Sequence, residues 1–155
     1  MDLTVELDGK ILNVRAAGVI IHNNKVLVHR NINSDHYALI GGRVMIGENS
    51  QDTVKREVYE ELGKEVEIKE HIATVENFFP MKGKRFHEIL FIHMLEFVNE
   101  QDKLIEYTLD NIEGKDYLKY IWLDLDKIEK YNLVPKVTKE ILKEAKFPTY
   151  KINID

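Results

Sequence analysis

Gly41 to Val66 reads GGRVMIGENSQDTVKREVYEELGKEV, and this stretch decides how the rest of the chain is read. Val54, Val58 and Leu62 recur at i, i+4 and i+8, the spacing of one apolar helix face. Asn49 stands as N-cap with Asp52 three residues on, a capping-box arrangement, and Gly63 stands as the C′ stop. Residues three and four apart share a helix face, so Glu57, Glu60 and Glu61 form one carboxylate patch beside the apolar stripe. Like charges at that spacing repel, and Glu60 and Glu61 lie in the last turn, where the helix dipole disfavours anions. A local rule broken this way often marks a functional site. A divalent cation would relieve it, and hard carboxylate oxygens suit Mg²⁺ or Mn²⁺. The competing reading is a solvated face, neutralised by the i,i+4 pairs Asp52–Arg56 and Glu60–Lys64.

The surrounding residues favour the metal. Gly42, Glu48 and the run Arg56-Glu57-Val58-x-Glu60-Glu61-x-Gly63 resemble the Nudix box, G-x5-E-x7-R-E-U-x-E-E-x-G-U, where U is a bulky aliphatic residue. All the charged and glycine positions match. The departure is Lys64 at the final aliphatic position, whose packing role falls to Val66. The approach Tyr37-Ala38-Leu39-Ile40 also differs from relatives, which often carry Trp and Leu-Pro before the two glycines.

The resemblance implies several things. The fold is α+β, an α/β/α sandwich with a mixed β-sheet, in a single domain over residues 1–155. The metal, Mg²⁺ or Mn²⁺, is held by the Gly41 carbonyl with Glu57, Glu60 and Glu61. Glu48 pairs with Arg56, which makes both structural: the pair locks the loop onto the helix and keeps the carboxylates in register. A further acid is expected from the loop before the Trp122 strand, with Glu113 first and Asp116 second. Glu61, Glu57 and Glu113 are the catalytic candidates, and Glu88 is also open as the base.

Composition is consistent with this reading. A chain of 155 residues is long enough for one good core, and 44% hydrophobic with 32% charged residues is ordinary for a globular protein. The net charge of −5 argues against a nucleic-acid backbone as partner. The absence of cysteine removes disulfides and thiolate metal sites and fits a reducing cytoplasm. No apolar run approaches the ~20 residues of a membrane span, and Met1-Asp2-Leu3-Thr4 lacks the features of a signal peptide. The sequence leaves a homodimer open.

Along the chain, Leu3–Leu7 and Lys10–Val14 read as strands joined by an Asp8-Gly9 type I′ turn. Ala16–His22 and Lys25–His29 read as a second hairpin about Asn23-Asn24, ended by Arg30, a candidate phosphate contact. Strands are expected over Glu65–Lys69, Ile72–Phe79, Phe86–Val98, Leu104–Thr108 and Tyr120–Leu125, with a turn at Pro80–Gly83. His87 and Glu88 open the long strand and are candidates to face the site, whereas His93 reads as a packed core histidine. A short helix is expected over Asp126–Tyr131 and a last one over Pro135–Ala145, with Val134, Val137, Ile141, Leu142 and Ala145 as its apolar stripe. Phe147–Asp155 reads as a tail without chemistry.

The implied reaction is Mg²⁺-dependent hydrolysis of a phosphoanhydride in a nucleoside diphosphate linked to another group. ADP-ribose is the leading expectation. It rests on Phe78-Phe79-Pro80-Met81-Lys82-Gly83 with Glu88 soon after, which resembles a turn of ADP-sugar pyrophosphatases; Phe79 and Glu88 would then touch substrate. A nucleoside triphosphate pyrophosphohydrolase is the alternative. A nucleotide-binding module without catalysis and an interaction protein with an acidic helix face are the others.

Overall fold

A computed structural model describes residues 1–104 and 109–155, so most of the strand expected over Leu104–Thr108 lies outside the described residues. The first hairpin forms as expected. β1 (Thr4–Leu7) pairs with β2 (Lys10–Val19), and Asp8 and Gly9 sit at φ 50° and 74° as a type I′ turn requires. β2 runs past Val14 because β7 (Lys84–Phe97) pairs with it in parallel from Lys10 to Val19. Next come β3 (Ile21–His22) and β4 (Lys25–Asn31), closed by Asn23 and Asn24 at positive φ, and then β5 (Tyr37–Arg43). The expected strands Glu65–Lys69 and Ile72–Phe79 are one strand, β6 (Val66–Met81). It absorbs the polar residues between them in two bulges against β7, after Ile68 and after His71. Its turn to β7 narrows to Lys82-Gly83.

β8 (Leu109–Asp110), β9 (Leu118–Asp124) and β10 (Thr149–Ile154) complete a mixed sheet in the order β10-β6-β7-β2-β5-β4-β9-β8, with β1 beside β2 and β3 beside β4. The residues read as a tail are thus an edge strand, parallel to β6 from Ala73 to Phe78. Buried Asn153 adds a side-chain bond to this backbone pairing, donating to the Asn77 Oδ1 at 3.0 Å.

Strand alternation splits the core into two layers. Ala16, Ile20, Leu27 and Ile40 face helix α1 (Ser50–Leu62) and its Val54, Val58 and Leu62. Ala17, Val19, Val26 and Val28 face the other way, onto Ile128 of a 3₁₀ turn (Leu125–Lys130), Leu133, and Val137 and Ile141 of α2 (Val137–Ile141). Helices thus cover both faces of a mixed sheet. The last helix is shorter than the expected Pro135–Ala145. Its flanks wind as tighter three-residue turns, Thr138 N–H to Pro135 and Glu144 N–H to Ile141, before the chain reverses into β10. Among the described residues no helix is long and apolar enough to cross a membrane.

Candidate active site

α1 is built as its sequence prescribes. The Asn49 side chain accepts from the Asp52 N–H at 2.8 Å, and Gly63, at φ 67°, donates its N–H to the Tyr59 carbonyl at 2.8 Å. Val66 is buried with the α1 layer, while Lys64 pairs with Asp102 at 2.7 Å, so the departure in the box is accommodated. The loop before α1 is clamped by Glu48. Its carboxylate takes Arg56 Nε at 2.7 Å and Nη2 at 3.0 Å, the Met45 N–H at 3.1 Å and the Thr53 hydroxyl at 2.8 Å. These bonds, Arg56 first, hold the Glu48 carboxyl down to about 2. The other edge of the Arg56 guanidinium reaches Glu57 at 2.8 Å and Glu60 at 3.2 Å.

The three box glutamates differ sharply in environment. Glu60 is well exposed, with its side chain 42% accessible. Glu57 lies half under the sheet end, where burial raises its pKa against the pull of Arg56. Its carboxylate occupies the space over Gly42: a Cβ there would stand 2.1 Å from the Glu57 Cδ. Glu61 is buried, its Oε2 has no hydrogen-bond partner, and burial, then the Glu57 charge, pushes its pKa up to about 7. An unsatisfied buried carboxylate oxygen is costly unless something binds it.

Both Glu57 and Glu61 line a cleft of about 750 Å³ that also takes in Gly41, Arg15, Glu88 and Phe79. Its floor is the sheet face that carries Asn13, Arg15 and Ala17 of β2, and α2 lies along one side. Arg15 donates to the Gly41 carbonyl at 3.4 Å and lowers the Glu61 pKa by its charge. His29, half-buried in the same wall, is held down to about 4 by desolvation and by Arg15. Sequence reading passed over Arg15. The available signal was the alternation in Leu12-Asn13-Val14-Arg15-Ala16-Ala17, which turns Asn13 and Arg15 to one face of an otherwise apolar strand.

The other candidates separate by strand parity. Glu88 and Phe79 face the cleft. Their neighbours His87 and Phe78 turn to the opposite face and lie against each other with tilted rings, centroids 4.4 Å apart. Glu113 belongs to the loop whose Ile112 N–H donates to the Glu61 carbonyl at 2.9 Å, and its charge acts on both Glu57 and Glu61. It also pairs with Lys115, which lines the cleft. Asp116 is absent from the cleft lining. Arg30 does not line the cleft either: its guanidinium lies over the Tyr37 ring, 5.7 Å from the centroid, with Nε to the Ser34 carbonyl.

The donor set suits a hard divalent cation. It offers an orphaned buried oxygen on Glu61, a glycine that leaves room for Glu57, and a backbone carbonyl at Gly41. Among the described residues no three acidic or histidine side chains already converge as a metal cluster, and Arg56 bonds both Glu57 and Glu60.

A family model described as NUDIX domain matches residues 12–144. No curated protein matches the chain. Solved structures similar to it include the MutT protein of Bacillus halodurans, at TM-score 0.61 and 18% identity over 89% of this chain and 86% of that one. A UDP-X diphosphatase is similar at TM-score 0.57 and 17% identity, over 95% and 69%. An ADP-ribose pyrophosphatase of Streptococcus suis is similar at TM-score 0.54 and 15% identity, over 91% and 98%.

Proposed function

Given that the chain belongs to the Nudix hydrolase family, we propose that it is a Mg²⁺-dependent pyrophosphohydrolase of a nucleoside diphosphate linked to another group, acting as a single domain over residues 1–155. The observation that carries this is the buried, unpaired Glu61 Oε2 beside Glu57 at the mouth of a cleft large enough for a nucleotide. The Gly41 carbonyl, Glu57, Glu60 and Glu61 would hold Mg²⁺ or Mn²⁺. Bound there, the ion supplies charge neutralisation for the phosphates and a polarised attacking water.

The chain's own residues do the rest. Glu48 fixes the Arg56 guanidinium through two hydrogen bonds, which sets the position of α1's first turns against the loop. Arg56 in turn orients Glu57 and Glu60. Arg15 brings the positive charge that an anionic substrate needs in a protein of net charge −5. Proton acceptance from the attacking water belongs to the carboxylates Glu57, Glu61 and Glu113. The substrate is a small nucleotide in the cytoplasm, with ADP-ribose first. Two things support that order: Phe79 and Glu88 share the cleft with the carboxylates, and one similar structure is that of an ADP-ribose pyrophosphatase. Arg30, on β4 between Tyr37 of β5 and Lys119 of β9 and outside the cleft lining, stays a substrate contact only for a group that extends beyond the cleft.

The test is product identity with Mg²⁺. ADP-ribose cut to AMP and ribose 5-phosphate, with triphosphates poorly used, supports the proposal. Pyrophosphate released from a triphosphate with ADP-ribose intact replaces the substrate class. No turnover with any nucleotide removes the hydrolytic reading.

A further inference from the structure

Across the cleft floor, one row of side chains links five adjacent strands. The Thr4 hydroxyl of β1 donates to the Asn13 Oδ1 of β2 at 2.8 Å. Asn13 Nδ2 donates to the Glu88 Oε2 of β7 at 2.6 Å, and Asn77 Nδ2 of β6 donates to the Glu88 Oε1 at 3.2 Å. Asn153 Nδ2 of β10 donates to the Asn77 Oδ1 at 3.0 Å. The strand registers Asn13↔Glu88, Asn77↔Glu88 and Asn153↔Asn77 place them in this line. Asn13, Asn77, Glu88 and Asn153 are all at most 5% exposed, yet Asn13, Asn77 and Glu88 line the cleft.

A row that served only to join strands would not need a carboxylate. Glu88 is bonded by two amides, and no lysine or arginine pairs with it among the described residues. An ionised carboxylate has about four acceptor positions, and two are used. The remaining two call for donors, so a phosphate is repelled and a hydroxyl or N–H is wanted. The Asn13 and Asn77 amides each spend one N–H on the carboxylate and keep a second, whereas Asn153 spends its second on the Asp155 Oδ1 at 3.2 Å. Donors alternating with acceptors suit a hydroxyl, which gives one hydrogen and accepts another.

Position chooses between sugar and base. Arg15, two residues beyond Asn13 on the same strand face, reaches the Gly41 carbonyl at the carboxylate end of the cleft. Two residues of strand advance about 6.5–7 Å. A group seated on the row is therefore one step from the diphosphate, which is where a phosphate-linked sugar lies. A base would lie one ring further on, towards the stacked Phe79 and Phe86, whose centroids are 5.1 Å apart.

We infer that Glu88, clamped by Asn13 and Asn77, binds the hydroxyls of the sugar joined directly to the diphosphate, with Asn153 as a positioning residue. This rests on the pyrophosphohydrolase reading. The experiment compares kcat/KM for each nucleotide that is turned over with that of its 2-deoxy analogue at the phosphate-linked sugar. Wild type should favour the hydroxylated form by roughly 10- to 100-fold, the size of a hydrogen bond to a charged group. Glu88→Gln should bring the ratio to within about 3-fold. Asn153→Ala, which removes the bond to the Asn77 Oδ1 and no bond to Glu88, should lower it in part and less than Glu88→Gln does. Equal wild-type rates on the two forms overturn the inference without any variant. A preference that survives in Glu88→Gln overturns it too, as does loss of discrimination between bases rather than sugars. Those outcomes leave the hydrolase reading intact; no turnover of any nucleotide removes that reading itself.

Discussion

The carboxylate of Glu57 stands where a side chain on Gly42 would begin: a Cβ there would lie 2.1 Å from the Glu57 Cδ and 2.3 Å from its Oε1. The glycine at this box position is thus a space requirement of one carboxylate. Gly42→Ala should push Glu57 aside and spare the fold, since the clash is with the mobile end of a side chain. We expect a stability change within about 1 kcal/mol and a loss of kcat/KM of about 100-fold, the order expected for a misplacement near 1 Å. Gly41→Ala should do the opposite kind of damage, because its Cβ would meet the Ala16 backbone oxygen at 2.1 Å. Thermal melts beside Mg²⁺-dependent rates separate the two. A Gly42→Ala enzyme with normal rates would show that Glu57 need not occupy that space.

Glu48 and Arg56 should behave as a single unit. Each alanine variant should cost activity by loosening the loop before α1, and the double variant should cost less than the two together, with a coupling on the order of 1–3 kcal/mol in stability. The pair also carries an acid signature. Glu48 titrates near 2 when folded, against an ordinary 4.5, so its contribution is present above about 4.5 and is lost as pH falls towards 2. Acid unfolding of Arg56→Ala should lack that component. Strict additivity in the cycle would mean that the two residues act separately.

Divalent metal should raise the melting temperature, since a ligand bound only by the native state stabilises it. Glu57→Gln and Glu61→Gln should blunt that response. In the absence of metal, Glu61→Gln should be at least as stable as wild type at pH 8. Glu61 has a folded pKa raised to about 7, so the folded state holds a proton that the unfolded chain releases near 4.5, and stability falls as pH rises between them. The variant lacks this loss. A wild-type protein indifferent to millimolar Mg²⁺ and Mn²⁺ would remove the metal site.

His93 couples α1 to the long strands. Its Nε2 meets the Ser50 hydroxyl at 2.9 Å, at the first turn of α1, and its ring lies 4.9 Å from that of His71. Burial, then His71, lowers its pKa to about 4. The stability it supports is full above about 6.5 and declines as pH falls towards 4, because the unfolded chain takes up the proton first. The loss should not exceed about 3 kcal/mol and should be absent from His93→Gln, read by chemical denaturation at pH 7 and pH 4.5. Equal losses in both proteins would assign the acid sensitivity elsewhere.

The sequence by itself determined the helix and the clustering of its three glutamates. Val54, Val58 and Leu62, the Asn49 cap and Gly63 are local signals, because helix periodicity and capping act within one or two turns, and α1 forms where they place it. The Glu48–Arg56 pair was legible through the resemblance of the box rather than through a local signal, and it forms. Turn chemistry gave Asp8-Gly9 and Asn23-Asn24. What only the tertiary structure decided depends on strand pairing between distant segments. Parity alone does not say which face of a strand looks into a cleft; the parallel register of β2 with β7 does, and it brings Arg15, Asn13 and Glu88 to the cleft while Arg30 stays outside it, over the Tyr37 ring. The last nine residues carried no helical or turn signal and read as a tail. They become a strand because the exposed edge of β6 offers backbone partners and Asn77 offers Asn153 a buried amide to bind. The burial that separates Glu61 from Glu60, neighbours on one helix, likewise comes from the elements packed around them.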